Sequence, residues 1–436
     1  MQVNVSKLFL HLFVILLLFT AVRNLSYIYY FFILLFFFLL GINHHKKLIF
    51  FKYKYSLYYT LLYLCFALSI YSFLYVELIN HHYISNIQQN ISYSSLLIGV
   101  ARFLLMPLTV FLFLYHLKYQ DDFIEVIRVT LLCFLVAALS IILQIYIGEI
   151  HWFAGSHLRG GYIRYSSLIG SLAVFGSIVG YSIIFTFDKR IIKNPINKYL
   201  LLTLFFATGI ITLTKTGIIM AILALLLIFL FELRYYFKRF VFQLISLLAL
   251  VIILNIVVSQ SVYLSHYINT VFNFTLGENF VFFDTNQKLI NDTPNITYDF
   301  LYKRLTYFAD SAISYYGSII FLIGVGVFGG AGIFGFEGSS PHSGFLDLIT
   351  IGGPIFLLTF LVIYIKIQLF FYKNINHGLN KSFFLSNILF FANMLFISGT
   401  VFQPSISILF WISFAYYMNQ RKELKNHNEA SESIIE

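Results

Sequence analysis

Apolar runs close to 20 residues long follow one another from end to end of the chain, separated by short polar and basic clusters. In hydrocarbon a backbone N–H or C=O finds no water, so such a run must close its own hydrogen bonds as a helix. A membrane barrel would instead need short alternating segments, which the pattern lacks. The runs predict about twelve helices, starting near residues 8, 25, 57, 92, 123, 166, 198, 216, 239, 344, 382 and 403. The first follows Lys7 without a convincing small-x-small cleavage site, so Leu8 to Val22 reads as a retained helix rather than a removed signal. Two stretches break the rhythm, a connection from about Gly148 to Tyr165 and a longer one from about Gln260 to Ser343. The expected fold class is therefore all-α, a polytopic integral membrane protein of about twelve transmembrane helices. Residues 1–259 carry helices one to nine with the short external loop 148–165, and residues 260–343 form a large external loop. Residues 344–420 carry the last three helices, and 421–436 form a tail.

Composition agrees. Of 436 residues, 60% are hydrophobic and 11% charged, too little polar surface for a water-soluble domain. Both cysteines, Cys65 and Cys133, fall inside apolar runs, which excludes a disulfide framework or a cysteine metal cluster. The net charge of +10 resides in cytoplasmic loops and does not point to nucleic acid. No phosphate-binding loop and no zinc spacing is present, and internal repeats are not evident.

Lys and Arg are retained on the cytoplasmic side of a membrane, whereas Asp and Glu carry little topological weight. With the N-terminus inside, the clusters Lys46/Lys47/Lys52/Lys54, Lys189/Arg190/Lys193/Lys198, Arg234/Lys238/Arg239, Lys373/Lys381 and Arg421/Lys422/Lys425 all become cytoplasmic. That places about 20 of the 28 basic residues inside and about seven outside, so both termini are expected in the cytoplasm. The exceptions are Arg23, Arg159, Arg164, Lys215, Lys288, Lys303 and Arg304. Arg23 lies in a tight turn and reads as an interfacial anchor. The others flank the two long connections or a hairpin tip, the pattern of an outward-facing cationic site. Arg102, inside the fourth helix, is costly in lipid and needs a partner, for which Glu77 is the candidate.

The stretch 260–343 is rich in Asn, Thr, Asp and Tyr, as in Asn291, Asp292, Thr293, Pro294, Asn295, Ile296, Thr297, Tyr298 and Asp299. Planar polar groups beside aromatic rings suit sugars, and an ordinary loop is the competing reading. Its last part, Ile313 to Gly335, is apolar and glycine-rich and is expected to dip into the membrane without crossing it. There follows Pro341-His342-Ser343-Gly344-Phe345-Leu346, then Gly352-Gly353-Pro354. A histidine where a long loop enters the membrane can serve as base or hydrogen-bond donor near neutral pH, or merely cap the helix.

The run from Arg304 through Gly324-Val325-Gly326 to His342 and Gly353 resembles the signature region of the O-antigen polymerase and O-antigen ligase family. His342 and Gly353 match its His-x10-Gly spacing, and Arg159 and Gly170 are similar to the Arg-x10-Gly pattern of polymerase loops. Ser343 stands where the family usually has Asn. Thr214-Lys215-Thr216-Gly217 takes the place of a Ser-Arg-x-Gly/Ala hairpin motif, keeping charge but losing the bidentate fork. The resemblance covers roughly residues 150–400.

It implies a glycosyltransferase at the outer face of a bacterial inner membrane, with an undecaprenyl-diphosphate-linked oligosaccharide as donor. No cofactor and no metal are implied. The reaction expected is polymerisation of repeat units into O-antigen or capsular polysaccharide. A ligase moving the glycan to lipid A core or protein is the rival, and a lipid-linked sugar flippase is the rival of another class. Membrane lipid, a chain-length regulator and a flippase are the implied partners. The leaving diphosphate develops negative charge that cations stabilise. Arg304 and His342 are the catalytic candidates, and Arg159, Arg164 and Lys215 the diphosphate-binding ones. Arg102, Glu77, Gly353 and Gly170 are candidate supports.

Overall fold

The computed structural model of the chain describes residues 5–19, 26–42, 56–80, 93–150, 157–159, 162–212, 214–233, 323–324, 326–329, 343–397 and 400–435. Among the described residues eight helices precede the long connection: α1 Val5–Leu18, α2 Ser26–Ile42, α3 Ser56–Asn80, α4 Tyr93–His116, α5 Gln120–Ile147, α6 Leu172–Phe187, α7 Pro195–Ile211 and α8 Lys215–Leu233. Three follow it: α9 Gly344–Lys373, α10 Asn380–Phe396 and α11 Pro404–Ile435. The chain is an all-helical, multi-pass membrane protein. Among the described residues four helices, α3, α4, α5 and α9, are by themselves long and apolar enough to cross a bilayer. The helix expected near residue 239 lies outside the described residues.

Two local differences from the sequence reading have clear causes. A helix expected from about 166 begins at Leu172, because Ser167 and Gly170 exchange backbone hydrogen bonds of 3.0 and 3.2 Å in a tight loop first. The connection before it contains an antiparallel hairpin, β1 His157–Arg159 and β2 Tyr162–Arg164, the departure from all-helical structure among the described residues.

The helices are held by two devices suited to lipid. There, apolar side chains gain nothing by leaving solvent, so association depends on close packing and on polar groups that bond across helices. The first device is glycine. A Cβ added to Gly176 on α6 would lie 2.5 Å from the Gly217 amide nitrogen of α8, and one on Gly180 would lie 2.9 Å from the Met220 carbonyl oxygen. Gly217 in turn abuts the Gly209 carbonyl of α7, so three backbones meet almost in contact.

The second device is a seam of buried polar side chains along α10. Ser382 donates to Asp188 at 2.7 Å, Asn387 donates to Ser413 at 3.1 Å, and Asn393 accepts from Ser177 at 2.9 Å and donates to Tyr181 at 3.0 Å. Tyr364 donates to the Asn387 carbonyl at 2.9 Å, tying α9 into the same seam. Aromatic rings fill the gaps, with Phe390 stacked on Phe410 at 4.5 Å between centroids. Each interhelical hydrogen bond contributes about 0.6 kcal/mol in lipid, with model peptides nearer 1–2 kcal/mol.

One end of the bundle collects the basic turns. Lys7 Nζ lies 2.6 Å from Asp122, and Arg128 donates to the Ile191 and Arg190 carbonyls at 2.9 and 2.8 Å. Asn419 donates to the Leu117 carbonyl at 2.6 Å, so the start of α1, the α4–α5, α6–α7 and α9–α10 turns and the middle of α11 share this side. The hairpin, the α7–α8 turn and the start of α9 lie at the opposite ends of these helices.

Gly176→Ala is expected to destabilise the protein by about 1–3 kcal/mol, because the methyl meets backbone that cannot move aside. Thermal unfolding of purified protein in detergent checks this, with the exposed Leu226→Ala on the far side of α8 expected to change little.

Candidate functional site

The site is built from irregular segments, and each must find partners for its backbone. In the hairpin, Arg159 pairs with Tyr162 and His157 with Arg164. Directly opposed residues share a face, as do residues two apart along a strand. The register therefore puts positions 159 and 164 on the same face of the hairpin. Sequence spacing alone could not reveal this pairing.

The base of the hairpin is clamped by Gln144, a buried residue on α5 that sequence reasoning missed. Its amide oxygen accepts from Ile150 N at 3.2 Å and its amide nitrogen donates to the Ser166 carbonyl at 2.8 Å, so one side chain joins the two flanks of the connection. Ser140 accepts from Leu168 N at 3.1 Å, and Ser405 of α11 donates to the Ile169 carbonyl at 3.2 Å. Gly170 lies in this loop with extended backbone, supporting the bridge to Ser167.

The α7–α8 turn has a local logic. Thr214 accepts from Gly217 N at 3.0 Å, the geometry of a side chain capping a helix N-terminus, and Thr212 contacts the Thr214 hydroxyl at 3.3 Å. Lys215 opens α8 directly after this cap. The motif Thr214-Lys215-Thr216-Gly217 thus has two structural duties, the cap at Thr214 and the close approach at Gly217. Helix macrodipole arguments disfavour a lysine at this end, and neither duty calls for one.

The third segment starts at Ser343, immediately after His342. Ser343 donates to the Met394 carbonyl of α10 at 3.2 Å, and Gly344 packs against Met394, Ile397 and Thr400. One residue from Met394, Asn393 bonds to Ser177 on α6, and Ser177 follows Gly176, which touches Gly217 and Thr214. The flanks of Arg164, Lys215 and His342 are thereby joined through the first turns of α6 and the last turn of α10.

A fourth element lies deeper. Gly324 and the 3-10 turn Gly326–Gly329 are wedged between α3 and the first third of α9. Tyr71 donates to the Gly324 carbonyl at 3.0 Å, and Ser72 accepts from Val327 N at 2.7 Å. Both glycines have positive φ, +72° and +76°, and a Cβ on Gly324 would lie 2.6 Å from Ile351 and Gly352 backbone. There α9 itself is broken: Gly352 and Gly353 leave helical geometry, Gly353 at φ +67°, ahead of Pro354. Proline disfavours helical backbone before it and only glycine adopts this φ without strain, so the motif makes a break rather than a plain helix start.

The remaining expectations divide. Arg304 and His342 lie outside the described residues, as do Lys288 and Lys303. The expected Arg102–Glu77 pair does not form. Arg102 instead places its guanidinium 4.8 Å from the centre of the Tyr30 ring on α2, while Glu77 accepts a hydrogen bond from Tyr93. A cation over an aromatic face gains electrostatically without requiring a buried carboxylate. This residue therefore joins α2 to α4 and is separate from the four segments above.

These features place the chain among multi-pass membrane proteins with a bonded cluster of irregular segments at one end. Scanned against protein-family models the chain matches none, and a search of curated proteins finds no match.

Gln144→Leu, which keeps the side-chain bulk but removes both clamp bonds, is expected to loosen the hairpin base. At about 1 kcal/mol per hydrogen bond the Ile150 amide exchanges roughly fivefold faster. Hydrogen exchange followed by mass spectrometry reads this directly.

Proposed function

We propose that the chain is a glycosyltransferase that joins undecaprenyl-diphosphate-linked oligosaccharide repeat units into O-antigen or capsular polysaccharide at the outer face of a bacterial inner membrane. The observation that carries this reading is the linkage of the flanks of Arg164, Lys215 and His342 through Ser177, Asn393 and Met394. In the sequence they lie far apart and share only an expected position on the side away from the cytoplasm. Arg159 and Arg164 on one hairpin face offer two planar guanidinium forks to a diphosphate, whose charge grows as the glycosyl bond breaks. Lys215 adds a point charge, Arg304 completes the cation set, and His342 meets the acceptor hydroxyl or the diphosphate. The break in α9 opposite the Gly324–Gly326 turn gives the segment after His342 a short helix of its own.

The seam along α10 favours this reading over a sugar-lipid flippase. Its polar groups are buried and bonded to neighbouring helices rather than lining an open route.

A glycan gel from a deletion strain tests the proposal: single repeat units on the lipid anchor support a polymerase, and long chains stranded on the carrier lipid point to a ligase. Unchanged glycan overturns both. His342→Ala and Arg304→Ala are each expected to abolish long chains at unchanged protein level, and wild-type chain length in both contradicts the site. Lys215→Arg is expected to keep activity, since the charge at the proposed phosphate contact survives.

A further inference from the structure

Arg102 lies within the membrane-crossing run Leu96–His116 of α4, apart from the four irregular segments. Among the described residues no ion pair includes it. Tyr93, which holds Glu77, is nine residues before Arg102, about two and a half turns, so the two stand on opposite sides of α4. What meets Arg102 is Tyr30 of α2, with the guanidinium 4.8 Å from the ring centre.

The pair is carried toward the end of the bundle away from the basic turns. α1 starts among those turns, so α2 starts at the opposite end, and Tyr30 lies about one turn into it. α4 starts at that same end, since its last residues reach the basic side. A helical side chain leans toward the N-terminus of its own helix, and a long charged one stretches toward the interface. Both tendencies lift the guanidinium to the level of Tyr30. The pair is also open to lipid: Arg102 is exposed, and so are Phe31 beside Tyr30 and Leu34 one turn further along α2.

A ring face steadies a cation but brings no net charge. With the Tyr30 side chain as its neighbour, a guanidinium still has most of its five N–H donors to satisfy. A lipid phosphate at that depth offers the missing charge together with oxygens spaced to match the fork.

We propose that Arg102 and Tyr30 form a binding site for the phosphate of an anionic membrane lipid in the leaflet away from the basic turns. The guanidinium takes the phosphate oxygens, the Tyr30 ring holds the guanidinium in place, and Phe31 and Leu34 offer the lipid chains an apolar surface. A zwitterionic lipid is the poorer ligand, because its own ammonium already neutralises its phosphate. The site is independent of the transfer reading above.

The test places the full-length protein in phosphatidylcholine nanodiscs with a trace of phosphatidylglycerol bearing a photoactivatable headgroup, and quantifies labelled peptides by mass spectrometry. Labelling is expected around Tyr30 and Arg102. It is expected to fall about tenfold in Arg102→Gln, as loss of hydrogen bonds to a charged group implies, while labelling of the basic turns stays unchanged and reports an intact fold. On wild-type protein, unlabelled phosphatidylglycerol is expected to displace the label, whereas diacylglycerol, which lacks the phosphate, and inorganic phosphate are not. Equal labelling in Arg102→Gln overturns the proposal, as does label confined to the basic turns. Displacement by diacylglycerol overturns it because chains and not phosphate are then held, and displacement by inorganic phosphate because the ligand is then a free anion. If Arg102→Gln does not accumulate, the competition on wild-type protein decides on the same terms.

Discussion

A polar group inside hydrocarbon has no solvent to turn to, and nearly everything specific about this bundle follows from how that constraint is met. Ser177, Tyr181 and Asn393 are all buried and bonded to one another across α6 and α10. Because apolar side chains gain nothing by leaving lipid for protein, contact between helices must come from such bonds and from close backbone approach. Gly176, Gly209 and Gly217 supply the approach, bringing α6, α7 and α8 to separations that any side chain would prevent. The same crowding holds the Thr214 hydroxyl where it caps α8, so packing and capping at the α7–α8 turn form one arrangement.

From that base the irregular segments at the far end gain their order. A hairpin of three-residue strands has little stability of its own. Here Gln144 gathers its flanks, and Ser140 and Ser405 hold the loop after it. The Gly324–Gly326 turn is handled likewise, by Tyr71 and Ser72 from α3, and it fits where α9 has been broken by Gly352 and Gly353. Side chains from regular helices thus satisfy the backbone of irregular segments, the condition under which non-helical chain is tolerated at membrane depth. On the function proposed above, a site assembled this way would hold its loops in the fixed relation that phosphate chemistry requires.

Arg102 shows a different solution. A charge inside a helix needs compensation, and a carboxylate is the obvious expectation from sequence; the structure provides the face of Tyr30 instead. Ring and carboxylate are equally compatible with the sequence around Arg102, because the choice depends on which helix lies beside α4.

What the chain determined by itself was everything local in period. Runs long enough to satisfy their own backbone place the helices to within a few residues, from Ser26 and Ser56 to Gly344, Asn380 and Pro404, because the requirement that makes them helical acts within each run. The Gly352-Gly353-Pro354 motif was visible for the same reason, although the break it makes in α9 was not. Tertiary structure alone decided what each polar residue does. Gln144, Asn393 and Ser72 look like ordinary helix residues in the sequence, and their partners Ser166, Ser177 and Val327 lie 22, 216 and 255 positions away. Hydrogen bonding across helices depends on register and facing, which no pattern within a single run encodes. The shared face of Arg159 and Arg164, and the link from Lys215 to the start of α9, therefore emerge only once the helices are packed.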